Sequence, residues 1–248
     1  MTAQLIDGKM IAQQVREEVA AKVAQRIAVG KLKPTLATVL VGDRADSATY
    51  VSSKQKACAE LGMGSVSQNL PADISQEELE RIIKSLNDDT TVHGILVQLP
   101  LPSQLNEERV LQLISVEKDV DGFSPINIGR LAQRGREPLF VPCTPNGCMY
   151  LLDHAGVSIE GANAVVLGRS NIVGMPAALL LMSRNATVTV CHSRTKDLPG
   201  IARAADILIV AIGKAEFVRG EWIKPGAAVI DAGTNSKPDA TRKSGYRL

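Results

Sequence analysis

Tyr50 and Lys54 are four positions apart, so on a helix a phenol and an amine share one face. That pairing suits proton transfer, although Tyr-x-x-x-Lys also recurs on ordinary helix surfaces, where lysine lays its stem along its neighbours. Gln98 closes the apolar run GILVQL. The carboxyl ends of strands are where open α/β sheets bind ligands. Asp119 and Asp121 flank Val120 just beyond a predicted helix, and acids beside Gly122 also serve simply to cap a loop.

A second group of residues suits phosphate rather than protons. The apolar run 164–167 ends at Gly168, the polar turn Arg169-Ser170-Asn171 follows, and helical periodicity runs from 172 to about 184. A strand, a glycine turn and a helix in that order offer backbone N–H groups and a positive helix end to a pyrophosphate. The G-x-G-x-x-G fingerprint is irregular, with Ser170 at the second glycine position and Gly174 one residue late. A plain tight turn is the competing reading. The next strand, 187–191, runs into His192-Ser193-Arg194-Thr195. No Asp or Glu stands there to accept from a ribose 2′-hydroxyl, whereas Ser193, Arg194 and Arg169 suit a 2′-phosphate, so NADP is the expected cofactor. Arg169 and Arg194 as solvated surface charges is the alternative.

Alternating strands and helices must position these groups. Apolar residues Ile11, Val15, Val19, Val23 and Ile27 recur every four positions and predict a helix over 7–29, closed by Gly30. Strands are expected at 35–41, 65–70 and 94–99, and helices at 47–61, 76–86 and 107–114. Between 119 and 145 glycine and proline break the pattern into a loop, and a helix over 146–154 carries the chain onward. Strands near 163–167, 187–191, 206–211 and 227–231, with helices near 172–184 and 197–204, complete a compact dinucleotide-binding pattern. The fold expected is two-domain α/β with largely parallel sheets. Residues 1–144 form the N-terminal domain and 145–248 a Rossmann-like domain.

Bulk properties exclude several classes of function. The 248 residues are 45% apolar and 3% aromatic with net charge +2, and no basic stripe interleaved with aromatics marks a nucleic-acid partner. No apolar run of about 18 residues spans a bilayer. The N-terminus lacks a basic start followed by an apolar core, which predicts a cytoplasmic protein. Cys58, Cys143, Cys148 and Cys191 and the scattered histidines show no metal-ligand spacing, so buried free thiols and no metal site are expected.

The order of these motifs is more specific than any one of them. Val41-Gly42, Ser47, Tyr50-Val51, Lys54 and Lys56 come first. Gln98-Leu99-Pro100-Leu101-Pro102 and Lys118-Asp119-Val120-Asp121-Gly122 follow. Pro142-Cys143-Thr144-Pro145 and the stretch from Gly168 to Pro176 complete the series. Together they resemble the methylenetetrahydrofolate dehydrogenase/cyclohydrolase family over nearly the whole chain. Short-chain dehydrogenases also use Tyr-x-x-x-Lys, but there the pair follows the nucleotide-binding turn, and here it precedes it by more than a hundred residues.

The resemblance implies oxidation of 5,10-methylenetetrahydrofolate with NADP⁺, then hydrolysis of the methenyl product to 10-formyltetrahydrofolate in the same site. It implies Lys54 as the key catalytic residue with Gln98 bonded to it, Tyr50 stacked on the aminobenzoyl ring, and Asp121 accepting from the pterin N–H groups. It further implies a folate site in a cleft between the domains, a dimer through the nucleotide domain, and cofactor contacts from Gly168, Arg169, Ser170, Ser193, Arg194 and Thr234. Asp231-Ala232-Gly233-Thr234-Asn235 stands where the family has Asp-Val-Gly-Ile-Asn, and Thr234 keeps its contact through the backbone. The family continues to a Pro-Gly-Gly-Val-Gly-Pro-Met-Thr segment and a closing helix, and this sequence ends at Leu248. A dehydrogenase without the hydrolytic step and a dinucleotide-binding protein without catalysis remain the alternatives.

Overall fold

The computed structural model describes residues 3–233, 235, 237–239, 241, 246 and 247; Thr234 lies outside them. The chain divides into two compact units. One comprises Asp7–Gly129 and Glu137–Val141; the other comprises Met1–Ile6, Arg130–Arg136 and Pro142–Leu248.

In the first unit α1 (Gly8–Ala28), β1 (Thr35–Val41), α2 (Ala45–Glu60), β2 (Gly64–Leu70), α3 (Gln76–Asp88), β3 (Gly94–Val97) and α4 (Glu107–Leu113) follow one another. The strands form a parallel sheet in the order β2-β1-β3, with Thr35 opposite Gly64 and Leu36 opposite Gly94. Asp7 caps α1 by accepting from the N–H groups of Lys9 and Met10, and Ser75 caps α3 by accepting from Glu78. One face of the sheet packs Val39 and Val41 of β1 and Ile95 and Val97 of β3 against Leu79 and Ile83 of α3 and Val110 of α4.

The α1 stripe does not stay on one face. Ile11 and Val23 are buried, Val15 and Val19 half-buried, and Ile27 is 44% exposed. A residue every four positions drifts about 40° per step on a helix of 3.6 residues per turn, so Ile27 has rotated about 160° from Ile11.

The second unit contains α6 (Cys143–His154), β4 (Asn163–Leu167), α7 (Gly174–Ser183), β5 (Thr187–Cys191), α8 (Leu198–Arg203), β6 (Ile207–Val210), a 3-10 turn at Gly220–Trp222 and β7 (Ala228–Asp231). The short strands β8 (Lys237–Pro238) and β9 (Tyr246–Arg247) pair antiparallel. The parallel order β5-β4-β6-β7 reverses direction of growth between β4 and β6. Ala164, Val166, Ile207 and Ile209 bury into a core with Leu152 of α6 and Leu181 of α7, and Val165, Leu167, Leu208 and Val210 into another with Ala202 of α8. Burial on both faces explains why these strands read as unbroken apolar runs.

The structure departs from the sequence reading in the segment 119–145, which holds the helix α5 (Pro125–Ala132) instead of unbroken loop. Proline fits the first helical position, where its missing N–H has no acceptor to lose, so a residue that reads as punctuation begins a helix here. Likewise α6 starts at Cys143 rather than 146, because Pro145 falls within the first turn. Three cysteines are buried as expected, but Cys143 is exposed. No described helix is long and apolar enough to cross a membrane.

Candidate functional site

Lys54 is placed by the helix that carries it. Ser47, Val51 and Cys58 bury one face of α2. Gln55 donates to Thr38 Oγ1 on β1 (3.2 Å) and to Ser67 Oγ on β2 (3.0 Å), tying the helix to both strands. Beside this anchor Lys54 Nζ donates to Gln98 Oε1 at 3.3 Å. Gln98 follows directly on β3; its N–H donates to Val39 O (2.9 Å) and its Nε2 to Leu99 O (2.8 Å). The amide is thereby turned with its oxygen toward the lysine. Tyr50 is 41% exposed, and its hydroxyl makes no bond to Lys54 among the described residues.

The segment carrying Asp121 is fixed against the same sheet. Ile95 N–H donates to Lys118 O (2.8 Å), and Ile95 bridges to Asp119 in parallel sense, so this segment extends the sheet beyond β3. Val120 Cγ1 occupies the place where a Cβ on Gly94 would stand. Lys118 Nζ donates to the carbonyls of Leu86, Asn87 and Asp89 at 2.9, 2.6 and 2.7 Å, closing the end of α3. Gly122 turns the chain at φ +68° and donates to Asp119 O at 3.0 Å.

The two acids of this segment differ in their partners. Asp119, only 3% exposed, accepts from Phe123 N, Ser124 N and Asn127 Nδ2 at 3.2, 2.8 and 2.9 Å. The half-buried Asp121 carboxylate receives no hydrogen bond from the described residues. Burial pushes its pKa up to about 6; the positive charge of Lys54 opposes that rise and the negative charge of Asp119 adds to it. The unit therefore presents an amine held by an amide and, within electrostatic reach, a carboxylate with open acceptor sites.

The second unit presents a different chemistry. Gly168 has φ +114°, and a Cβ there would run into the carbonyl oxygen of Ala211 just past β6. Gly174, which opens α7, is as tightly placed, since its Cβ would strike the Gly168 carbonyl. Both glycines allow strand and helix backbones to touch at the point where the sheet order reverses. Ser170, in place of the missing glycine, braces the turn into α7: its Oγ accepts from Val173 N (3.2 Å) and Gly174 N (3.3 Å). The N–H groups of Arg169, Ser170 and Asn171 find no acceptor among the described residues, so this turn is free to take a phosphate.

A cavity of about 310 Å³ adjoins this turn, with Gly168, Arg169, His192, Ser193, Lys214 and Phe217 on its walls. Ser170 and Arg194 do not line it. Arg194 is exposed and its N–H donates to His192 Nδ1 at 3.2 Å. Lys214, with Nζ 5.8 Å from the Phe217 ring centre, and Phe217 itself were not foreseen. The available signal was the apolar run of β6 ending in Gly213, a second strand-to-glycine turn. Among the described residues no group of three or more His, Cys, Asp or Glu could hold a metal ion.

Comparison with known proteins bears on both units. Residues 6–121 match the family model described as tetrahydrofolate dehydrogenase/cyclohydrolase, catalytic domain, and residues 142–246 match its NAD(P)-binding domain. A bifunctional protein FolD 2 from Arabidopsis thaliana is 56% identical over 247 residues, covering 100% of this chain and 83% of the relative. A bifunctional protein FolD from Listeria innocua is 55% identical over 93% of this chain and 80% of its own length. The Trypanosoma brucei methylenetetrahydrofolate dehydrogenase-cyclohydrolase, solved with NADP cofactor and an inhibitor, superposes with a TM-score of 0.95 at 45% identity. That match covers 100% of this chain and 85% of the solved one.

Proposed function

This chain belongs to the tetrahydrofolate dehydrogenase/cyclohydrolase family, and on that footing we propose how its residues divide the work of a bifunctional enzyme. The enzyme oxidises 5,10-methylenetetrahydrofolate to 5,10-methenyltetrahydrofolate with NADP⁺, and hydrolyses the methenyl form to 10-formyltetrahydrofolate. NADP⁺, when bound, accepts the hydride from the methylene carbon.

Lys54 acts on the hydrolytic step. Its Nζ, oriented by Gln98, holds the water that adds to the methenyl carbon and, as the neutral amine, takes the proton that water must lose. Asp121 accepts from the pterin N–H groups, two donors on one carboxylate. Tyr50 offers its exposed ring to the aminobenzoyl group. The open N–H groups of Arg169, Ser170 and Asn171 take the pyrophosphate, with the Ser170 hydroxyl holding the turn that leads into α7. Arg169 and Ser193, from the cavity wall, and Arg194, from the adjoining loop, receive the 2′-phosphate. Thr234 contacts the cofactor through its backbone. The catalytic and folate-binding roles fall within 1–144 and the cofactor roles within 145–248.

The observation that carries this reading is the Lys54–Gln98 bond within electrostatic reach of an acid whose acceptors are unused. Purified protein given 5,10-methylenetetrahydrofolate and NADP⁺ should form NADPH, with methenyl absorbance that rises and then decays. Lys54→Ala should keep the rise and lose the decay. Unchanged hydrolysis of added methenyl substrate by that variant would remove Lys54 from the mechanism.

The protein is further assigned to the cytoplasm as a homodimer. The dimer is supported by apolar side chains left exposed on the cofactor unit, Met182 on α7 and Val229 on the edge strand β7. Light scattering at increasing concentration tests it.

A further inference from the structure

Two acids two residues apart, one fully bonded and one open, divide a task between them. Asp119 spends its carboxylate inward on two backbone N–H groups and one side-chain amide, all belonging to the turn and helix that follow Asp121. Asn127 is completely buried and works in both directions. Its Nδ2 serves Asp119, and its Oδ1 accepts from Leu139 N (3.0 Å) and Phe140 N (3.4 Å). This network closes a loop around Asp121 without touching its carboxylate. On the other side Lys118 and the Gly94–Val120 contact hold the strand that enters the turn. A buried carboxylate with three donors is costly to rearrange, so the turn is rigid where it bends.

We propose that Asp119, supported by Asn127, is a positioning residue for folate capture: its inward bonds fix the turn that presents the Asp121 carboxylate to the pterin. The proposal rests on the reading of Asp121 as the pterin acceptor and deepens it. Asp119 has a second effect through its charge. The charged groups acting on Asp121 are Lys54 of α2, which favours the carboxylate, and Asp119, which disfavours it. Asp119 thereby raises the pH below which Asp121 is protonated and loses its value as an acceptor for two N–H groups.

The test uses Asp119→Asn in the full chain. That change keeps the shape but turns an NH₂ toward N–H donors and removes the charge. The Michaelis constant for 5,10-methylenetetrahydrofolate should rise at least tenfold while that for NADP⁺ stays within twofold. The pH below which the folate constant climbs should also move down, which a purely structural lesion does not produce. Asn127→Ser keeps the Asp119 charge, so it should raise the folate constant without moving that pH. An unchanged folate constant in Asp119→Asn, or a raised one with no movement of the pH profile, overturns the proposal. If Asp119→Asn does not fold, Asn127→Ser decides alone: a raised folate constant with NADP⁺ unaffected supports the proposal, and an unchanged one overturns it. Asp121→Ala separates the two layers, since an unchanged folate constant there sinks the reading of Asp121 itself.

Discussion

Replacing Asp121 by Asn should stabilise this protein while damaging it as an enzyme. The carboxyl titrates at about 6 in the fold, against an ordinary value of 3.8. At about 1.36 kcal/mol per pH unit that gap corresponds to about 3 kcal/mol, and solvent reaching a half-buried group reduces it to about 2 kcal/mol. The sign follows from the raised value. The folded state holds the proton more tightly than the unfolded chain, so the acid costs nothing below its unfolded pKa. Its cost then grows as pH rises from about 4 through 6 and is constant above. Asparagine has the same shape and no such cost. At pH 7.5 the variant should melt about 4–8 °C higher than the parent, and the advantage should shrink steadily below pH 6. Its folate Michaelis constant should rise tenfold or more, because hydrogen bonds to a charged partner contribute about 1.5–3 kcal/mol each. Thermal unfolding by calorimetry across pH 4 to 8, with steady-state kinetics on the same samples, measures both. A variant no more stable than the parent at pH 7.5, or one whose advantage is the same at every pH, refutes the account of Asp121 as an acid held against its solvation.

Gly168→Ala should destabilise the cofactor unit by about 3 kcal/mol, because φ +114° and the Ala211 carbonyl both oppose a Cβ. A melting temperature within 1 °C of the parent would contradict that geometry. Replacing Arg169 and Arg194 together by Ala should raise the NADP⁺ Michaelis constant at least tenfold and leave that for NAD⁺ nearly constant. Equal changes for the two cofactors, measured side by side, would mean that neither arginine reads the 2′-phosphate.

Strands buried on both faces, β4 and β6, could be read directly as runs of apolar residues, and the alternating β5 also stands where the sequence puts it. Helix α5 was hidden because Pro125 and Gly129 carry loop statistics, and only the three-dimensional arrangement shows Ser124 Oγ accepting from Ile126 N while Asp119 holds Ser124 N and the Asn127 amide. The site was legible in its parts but not in its pairing. Lys54 and Gln98 are far apart in sequence and nothing in their spacing says that β1 and β3 are neighbours, so only the family resemblance paired them. Asp119 and Asp121 could not be told apart at all. That holds for residue type and spacing, since both are acids beside Val120 and only the family resemblance singled out Asp121; the physical difference is which one finds donors. Lys214 and Phe217 escaped notice because a cation and an aromatic ring in a loop have no period to betray them.

The way the chain is shared between its two units sets an order on its synthesis. Every residue of the unit carrying Lys54 and Asp121 has been made once Val141 is joined, long before the strands of the other unit exist. Ile6, by contrast, packs against the core built from Ala164, Val166, Ile207 and Ile209. Ile6 must therefore wait for residues as late as Ile207 and Ile209 to find its place. On the ribosome the catalytic half should become resistant to protease while the segment around Ile6 remains open to it until β6 has emerged.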